Sequence, residues 1–210
     1  MPLSLFRRAL LEAIGTATLA FAIVRVGHSG WTAFDQAWAI GLTLCLLIHL
    51  FGRLCGAHFN PAVTLLLNQQ RFGWPGLVQG QGLRETGAYW LAQVLAAVAV
   101  FRLDPVATAP PPFNTAGVVP ELILSAALFA LILVWSHEGK LCPFAQPLSG
   151  VVIGLGLVAL VLLGGLSGSG LYNPAIAAGL ISQGGRGVLP MVGAQLLAAL
   201  LLMRLRLAWR

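Results

Sequence analysis

Two short segments constrain this chain more than anything else in it. His58-Phe59-Asn60-Pro61-Ala62-Val63-Thr64 stands in the first half, and Leu171-Tyr172-Asn173-Pro174-Ala175-Ile176 in the second. Asparagine favours a helix N-cap, because its side-chain oxygen can hold a free backbone N–H. Proline favours the first helical position, where its missing N–H costs nothing. Each segment therefore predicts a helix that begins at the proline. A lone Asn-Pro pair is ordinarily a turn, but two in matching places of two similar halves require a shared structural reason.

The surroundings supply that reason. Of 210 residues, 58% are hydrophobic and 9% charged, with a mean hydropathy of +0.88. A soluble domain carries about 25% charged residues, so this is the composition of an integral membrane protein. The length suits a single domain, 1–210, of about six spans at roughly 20 residues each. Long apolar stretches stand near 3–24, 34–51, 86–101, 120–135, 147–164 and 188–207, and two shorter ones, 61–68 and 174–182, follow the Asn-Pro pairs. At about 1.5 Å per residue each short stretch covers on the order of 12 Å, so neither spans alone and two end to end nearly cross the hydrocarbon. Half-spanning segments at corresponding places predict an inverted repeat with its site at the midplane.

The halves correspond elsewhere too. Glu12-Ala13-Ile14-Gly15-Thr16 opens the first span and Glu121-Leu122-Ile123-Leu124-Ser125 the fourth; Asn60 follows Glu12 by 48 residues and Asn173 follows Glu121 by 52. Gln93-Val94-Leu95-Ala96-Ala97 echoes Gln195-Leu196-Leu197-Ala198-Ala199. The predicted repeats are 1–103 and 120–210, joined by a Pro-rich connector over 104–119. Three spans per half is odd, so the second half lies inverted, and the two Asn-Pro helices enter from opposite faces and meet at their N-termini. With both termini in the cytoplasm, nine basic residues (Arg7, Arg8, Arg53, Arg71, Arg84, Lys140, Arg204, Arg206, Arg210) fall inside and three (Arg25, Arg102, Arg186) outside, as the positive-inside rule requires. Arg7-Arg8 ahead of an apolar run could mimic a signal peptide, but Glu12 interrupts the run, and an uncleaved first span is expected.

The net charge of +6 is spread without a basic stripe, which argues against a nucleic-acid partner. Cys45, Cys55 and Cys142 lie in or beside apolar segments without paired ligand spacing, so they read as small buried residues, with no metal site and no disulfide. Nothing points to a cofactor.

These residues resemble the aquaporin, or major intrinsic protein, family. Gly56-Ala57-His58-Phe59-Asn60-Pro61-Ala62-Val63-Thr64 is similar to the first family motif and Asn173-Pro174-Ala175 to the second. Glu12-x-x-Gly15-Thr16 and Tyr89-Trp90-Leu91-Ala92-Gln93 resemble its first and third spans. The resemblance implies an all-α fold of six tilted transmembrane helices and two re-entrant half-helices meeting at mid-membrane, four subunits in the bilayer, and one pore in each. It implies a membrane channel, with no catalytic residue, in a cell (inner) membrane.

The physics of the segments points the same way. A helix N-terminus carries about half a positive charge, so two facing the pore centre oppose cations, the proton included. The side-chain amides of Asn60 and Asn173 would donate to a passing oxygen, and the carbonyls of Gly56, Ala57, His58, Gly168, Ser169 and Gly170 would accept. Irregular backbone at this depth is tolerated only where it is buried or lines a cavity. Intramembrane acids are functional by default; Glu12 and Glu121 either snorkel at span ends or accept hydrogen bonds from the re-entrant loops, and the resemblance implies the second. His58 reads equally as a pore donor or a loop brace.

The chain departs from the family one step after the second motif. Most members place an arginine there, part of the narrowest ring; here the residue is Ile176. Counted from the motifs, the four ring positions fall on Ile40, Val161, Gly170 and Ile176. An apolar ring lacks the fixed charge and its donors, and is expected to be wider and poorer at holding single-file water. The glycerol-conducting branch keeps the arginine and usually an aspartate after it, whereas Ala177 follows here. Some bacterial relatives associated with arsenic handling resemble this chain in carrying an aliphatic residue there. The expectation is passive passage of small uncharged solutes and water, with neutral metalloids (arsenite, methylarsenicals) or glycerol-like solutes admitted; the alternative is a water-selective pore.

Two other classes fit less well. Gly165-Leu166-Ser167-Gly168 has the pattern of intramembrane serine proteases, but all four histidines (His28, His49, His58, His137) precede Ser167. A secondary transporter would need a buried titratable site, for which only Glu12 and Glu121 present themselves. Gly52 to Gly56 and Gly150 to Gly154 are both GxxxG, predicting close helix packing.

Overall fold

The computed structural model describes residues 3–105, 115–136 and 145–205. Among them are eight α-helices: α1 (Leu5–His28), α2 (Ala33–Cys55), α3 (Pro61–Val78), α4 (Gly80–Leu103), α5 (Val118–Trp135), α6 (Ala145–Ser167), α7 (Pro174–Ser182) and α8 (Leu189–Leu205), with short 3-10 turns before α5 and α8. Helices α1, α2, α4, α5 and α6 are each long and apolar enough to cross a bilayer. Helix α8 is apolar and has 17 residues within the described range. The expected all-α architecture of spans and two half-helices is what the chain adopts.

The ends differ from the sequence expectations for local reasons. Helix α3 runs past Asn68 because that residue is buried and its Nδ2 donates to Thr86 Oγ1 on α4 at 2.9 Å. It breaks instead at Gly73, whose φ of 68° and ψ of 178° no helix accommodates. Helix α4 starts at Gly80, six residues before the predicted span. Its first turns are polar, and Glu85 there is 1% exposed, paired with Arg8 Nη2 at 2.7 Å and Arg71 Nη1 at 3.0 Å. The connector assigned to 104–119 gives up its last two residues to α5, and 106–114 lie outside the described residues.

Helix α2 packs against α6 at the centre, α1 against α4, and α5 against α8; each half-helix leans on the other half, α3 on α8 and α7 on α4. The α2–α6 crossing shows why small residues are needed there. A Cβ on Gly41 would collide with Val158 and with the Gly154 carbonyl, and one on Gly150 with His49 and the Cys45 carbonyl. Gly41 and Gly150, like Glu12 and Glu121, are 109 positions apart, as are Cys45 and Gly154. Each contact therefore has a counterpart made by the equivalent residues of the other half, the pattern of a pseudo-two-fold axis through the crossing. Gly150 and Gly154 are the GxxxG pair in close packing, whereas Gly56 caps α2 at a φ of 95°.

Candidate functional site

The two half-helices begin where their asparagines cap them. Asn60 Oδ1 accepts from the N–H of Ala62 at 2.9 Å and of Val63 at 3.4 Å; Asn173 Oδ1 accepts from Ala175 N–H at 2.9 Å. This is the N-cap geometry expected of Asn before Pro. It leaves each Nδ2 pointing away from its own helix. Asn60 Nδ2 donates to the Tyr172 carbonyl at 2.7 Å, and Asn173 Nδ2 donates to the Phe59 carbonyl at 2.8 Å. The half-helices are thus tied N-terminus to N-terminus, each amide on the residue before the other's cap. An amide nitrogen carries two hydrogens, so one remains on each, and both asparagines border the central cavity.

The approach to each cap is left-handed backbone. Gly56, Ala57 and Phe59 have φ of 95°, 53° and 48°, and Gly170 and Tyr172 have 127° and 49°. Non-glycine residues there cost on the order of 1–3 kcal/mol and persist only where the surroundings impose them. The imposing groups are Glu12 and Glu121, both 0% exposed. Glu12 Oε1 accepts from His58 N–H at 2.9 Å and Oε2 from Phe59 N–H at 2.7 Å. Glu121 Oε2 accepts from Gly170 N–H at 2.8 Å and Leu171 N–H at 3.3 Å, and Oε1 from Tyr172 N–H at 2.6 Å. Neither acid snorkels. These bonds draw the loop N–H groups onto a carboxylate, and Gly56, Ala57, His58, Gly170 and Leu171 all border the cavity.

Each acid is itself held from the third span of its half. Gln93 Nε2 donates to Glu12 Oε2 at 2.9 Å and Gln195 Nε2 to Glu121 Oε1 at 2.6 Å. Sequence reading saw these glutamines as an echo between halves and missed their role; the shared Gln-x-x-Ala-Ala context was the available signal. Tyr89 Oη donates to the Cys55 carbonyl at 2.7 Å and Tyr172 Oη to the Leu160 carbonyl at 2.6 Å, fastening loop to span. His58 sits where either role could be played. It borders the cavity, yet its Nδ1 sits 3.2 Å from Thr64 Oγ1 and its ring packs edge-on to Tyr89 at 5.3 Å between centroids.

The cavity holds about 980 Å³ with its open mouths included. Its wall is built from stripes at four-residue spacing: Leu19 and Ile23 on α1; Ile40, Leu44 and Ile48 on α2; Leu128 and Ile132 on α5, continued by its C-cap Ser136; Ser149, Ile153, Leu157 and Val161 on α6. Val63 and Ile176 add the first turns of the half-helices. All four ring positions, Ile40, Val161, Gly170 and Ile176, border it, and no Lys, Arg, Asp or Glu is among its described lining. Ile176 is 3% exposed and backed by Ala20, Val24, Ala97 and Phe101. Gly168 and Ser169 do not border the cavity. Gly168, at φ 68°, ends α6, and Ser169 N–H turns back to the Gly164 carbonyl at 3.0 Å, so the second loop borders the cavity only from Gly170 on.

One sequence reading needs correction. Glu12 and Glu121 are not the only buried acids, since Glu85 is buried as well, but its partners Arg8 and Arg71 hold it away from the cavity. Ser167 Oγ donates to the Leu163 and Gly164 carbonyls at 3.1 and 3.2 Å, a helix-end bond; His137 lies outside the described residues. Cys45 and Cys55 are free thiols and Cys142 lies outside the described residues.

A polytopic helical membrane protein with two re-entrant half-helices tied at their caps is what this fold and site define. The chain belongs to the major intrinsic protein family, whose profile, described as "Major intrinsic protein", matches residues 3–201. It is 29% identical over 187 residues to the "Probable aquaporin NIP4-2" of Arabidopsis thaliana, covering 83% of this chain and 64% of that one. It is 38% identical over 103 residues to the "Aquaglyceroporin AqpS" of Rhizobium meliloti (strain 1021), covering 45% and 41%. The chain therefore spans less than two thirds of the length of these relatives. Its fold is similar to that of the aquaglyceroporin from Plasmodium falciparum, with a TM-score of 0.68 over 94% of this chain and 93% of that one at 22% identity.

Proposed function

We propose that the chain forms a passive channel, not an enzyme, for water and small uncharged solutes, in which Ile40, Val161, Gly170 and Ile176 form an apolar filter. The observation that carries this is the wall itself. It combines aliphatic stripes, two loops whose residues border the cavity and two asparagine amides, with a buried aliphatic residue, Ile176, at the third position of its half-helix. Carbonyls and amides replace part of the hydration of a hydroxyl-bearing solute, while the two helix N-termini oppose cations. Absence of a filter arginine favours neutral solutes of glycerol size, including undissociated metalloid acids and methylated arsenicals. The printed name of the Rhizobium relative, an aquaglyceroporin, agrees with that class.

The reading extends to placement. The positive-inside bias supports both termini in the cytoplasm at a plasma membrane, with Arg8, Arg53, Arg71 and Arg84 at that end. Arg25 sits at the other end, bonded to Asp104 at 3.4 Å. The repeats, expected at 1–103 and 120–210, are read with the second starting at 118, where α5 begins, and the family resemblance supports a homotetramer with one pore per subunit.

Stopped-flow light scattering on proteoliposomes tests the function. Vesicles with the protein should swell faster than protein-free vesicles in glycerol and arsenite gradients as well as in water. Acceleration in water alone would reduce the protein to the alternative, a water-selective pore.

A further inference from the structure

The pseudo-two-fold relation makes a comparison between the two ends of the pore possible. Shifting by 109 positions maps the α1 stripe Leu19 and Ile23 onto Leu128 and Ile132 of α5. The same shift maps Leu44 and Ile48 of α2 onto Ile153 and Leu157 of α6. Val63 and Ile176, each three residues past its asparagine, correspond in the same sense. The two ends of the wall are thus matched aliphatic for aliphatic. They differ at three places: Ser149 stands where the symmetry mate is Ile40, Ser136 where it is Gly27, and the filter residue Val161 where it is Gly52.

Both serines border the cavity, at 1% and 8% exposure. Ser136 caps the C-terminus of α5 and Ser149 lies in the first turns of α6, so they flank the same end of the pore. From Ser149 to the filter residue Val161 is twelve residues along α6, about 18 Å of helix axis. Away from the loops that carry His58, Asn60, Tyr172 and Asn173, they are the hydrogen-bonding side chains of the described lining. A hydroxyl offers one donor and two acceptor positions, so one bonded on its protein side still presents capacity to the lumen.

The geometry points to Ser136 and Ser149 as a second solute station, at the mouth opposite Ile176, that recognises small neutral polyols by hydrogen bonding. It rests on the channel reading proposed above. A polyol leaving the two loops toward that mouth meets Leu128, Ile132 and Ile153, which offer no partner, and the two hydroxyls end the apolar stretch. At the opposite mouth, with Ile40 and Ile176, the described lining offers no such pair, so discrimination among hydroxylated solutes moves from the filter to the far end of the pore.

The test is the glycerol-to-water permeability ratio of proteoliposomes carrying wild type, Ser136→Ala/Ser149→Ala, or Ser149→Thr. Loss of about one net hydrogen bond corresponds to roughly a fivefold change, so the double alanine variant should lower the ratio about 3- to 10-fold. Water permeability should stay within about twofold, which also reports a folded pore, and Ser149→Thr, which keeps the hydroxyl, should retain the wild-type ratio. A ratio unchanged or raised in the double variant overturns the station and leaves the channel standing. Wild-type vesicles that pass water but no glycerol overturn both readings, and are recognised without any variant.

Discussion

Replacing Glu12 by leucine separates a structural brace from an incidental buried acid. The carboxylate accepts three hydrogen bonds, from His58 N–H at 2.9 Å, Phe59 N–H at 2.7 Å and Gln93 Nε2 at 2.9 Å, and is 0% exposed. Leucine fills similar volume but accepts nothing, so three buried donors lose their partner at about 1–3 kcal/mol each. The loss is therefore at least about 3 kcal/mol. At roughly 2–4 °C per kcal/mol for a chain of this size, the thermal midpoint in detergent should fall by no less than about 6 °C. Two of the orphaned donors belong to the loop just before Asn60, one of them the left-handed Phe59, so the loop loosens and solute permeability falls with the midpoint. Glu12→Gln, which keeps one acceptor oxygen, should fall between. Glu121 takes four donors, so Glu121→Leu should cost as much or more. A Glu12→Leu protein melting within about 2 °C of wild type with unchanged flux would refute the brace.

Three further outcomes follow from the same contacts. Gly154→Leu should fail to assemble, seen as loss of the monodisperse peak in size-exclusion chromatography, because its Cβ would sit 2.7 Å from both Cys45 Cβ and the Gly41 carbonyl; Gly165→Ala, with nothing within 4 Å, should be neutral or stabilising by up to about 1 kcal/mol. Arg8→Ala should lower the thermal midpoint more than Arg71→Ala, because the Arg8 side chain is 16% exposed and that of Arg71 42%, though both pair with Glu85. Asn173→Ala should remove about 1 kcal/mol of helix capping and also the bond to the Phe59 carbonyl. In a double-mutant cycle with Asn60→Ala the two losses should therefore be non-additive, since each amide ties down the other's loop.

The half-helices were legible because Asn-Pro-Ala encodes its own cap and start, and α7 begins and ends where the residues say. Their facing arrangement followed from the odd number of spans per half. The end of α3 was not legible: Asn68 reads as a stop, and only its bond to Thr86, eighteen residues away, shows why the helix continues to Gly73. Glu85 was missed for a similar reason, since a glutamate in a polar stretch looks solvated until Arg8 and Arg71 are brought to it from two other helices. Gly168 and Ser169 were expected to line the pore, but α6 extends to Ser167 and the second loop first borders the cavity at Gly170. The glutamine braces could be seen only as a repeat, because nothing local says what an intramembrane glutamine will bond.

The central claim is that Ile176 makes the filter apolar and open to neutral solutes. Its most direct test is the ratio of glycerol to water permeability in proteoliposomes of wild type and Ile176→Arg. The arginine would enter a wall free of Lys, Arg, Asp and Glu among its described lining residues, narrowing it and adding fixed donors that hold single-file water. The account predicts that the substitution lowers glycerol flux more than water flux, by about tenfold in the ratio if roughly 1.4 kcal/mol is added to the solute barrier. A ratio unchanged by the arginine, in protein that still conducts water, would contradict it.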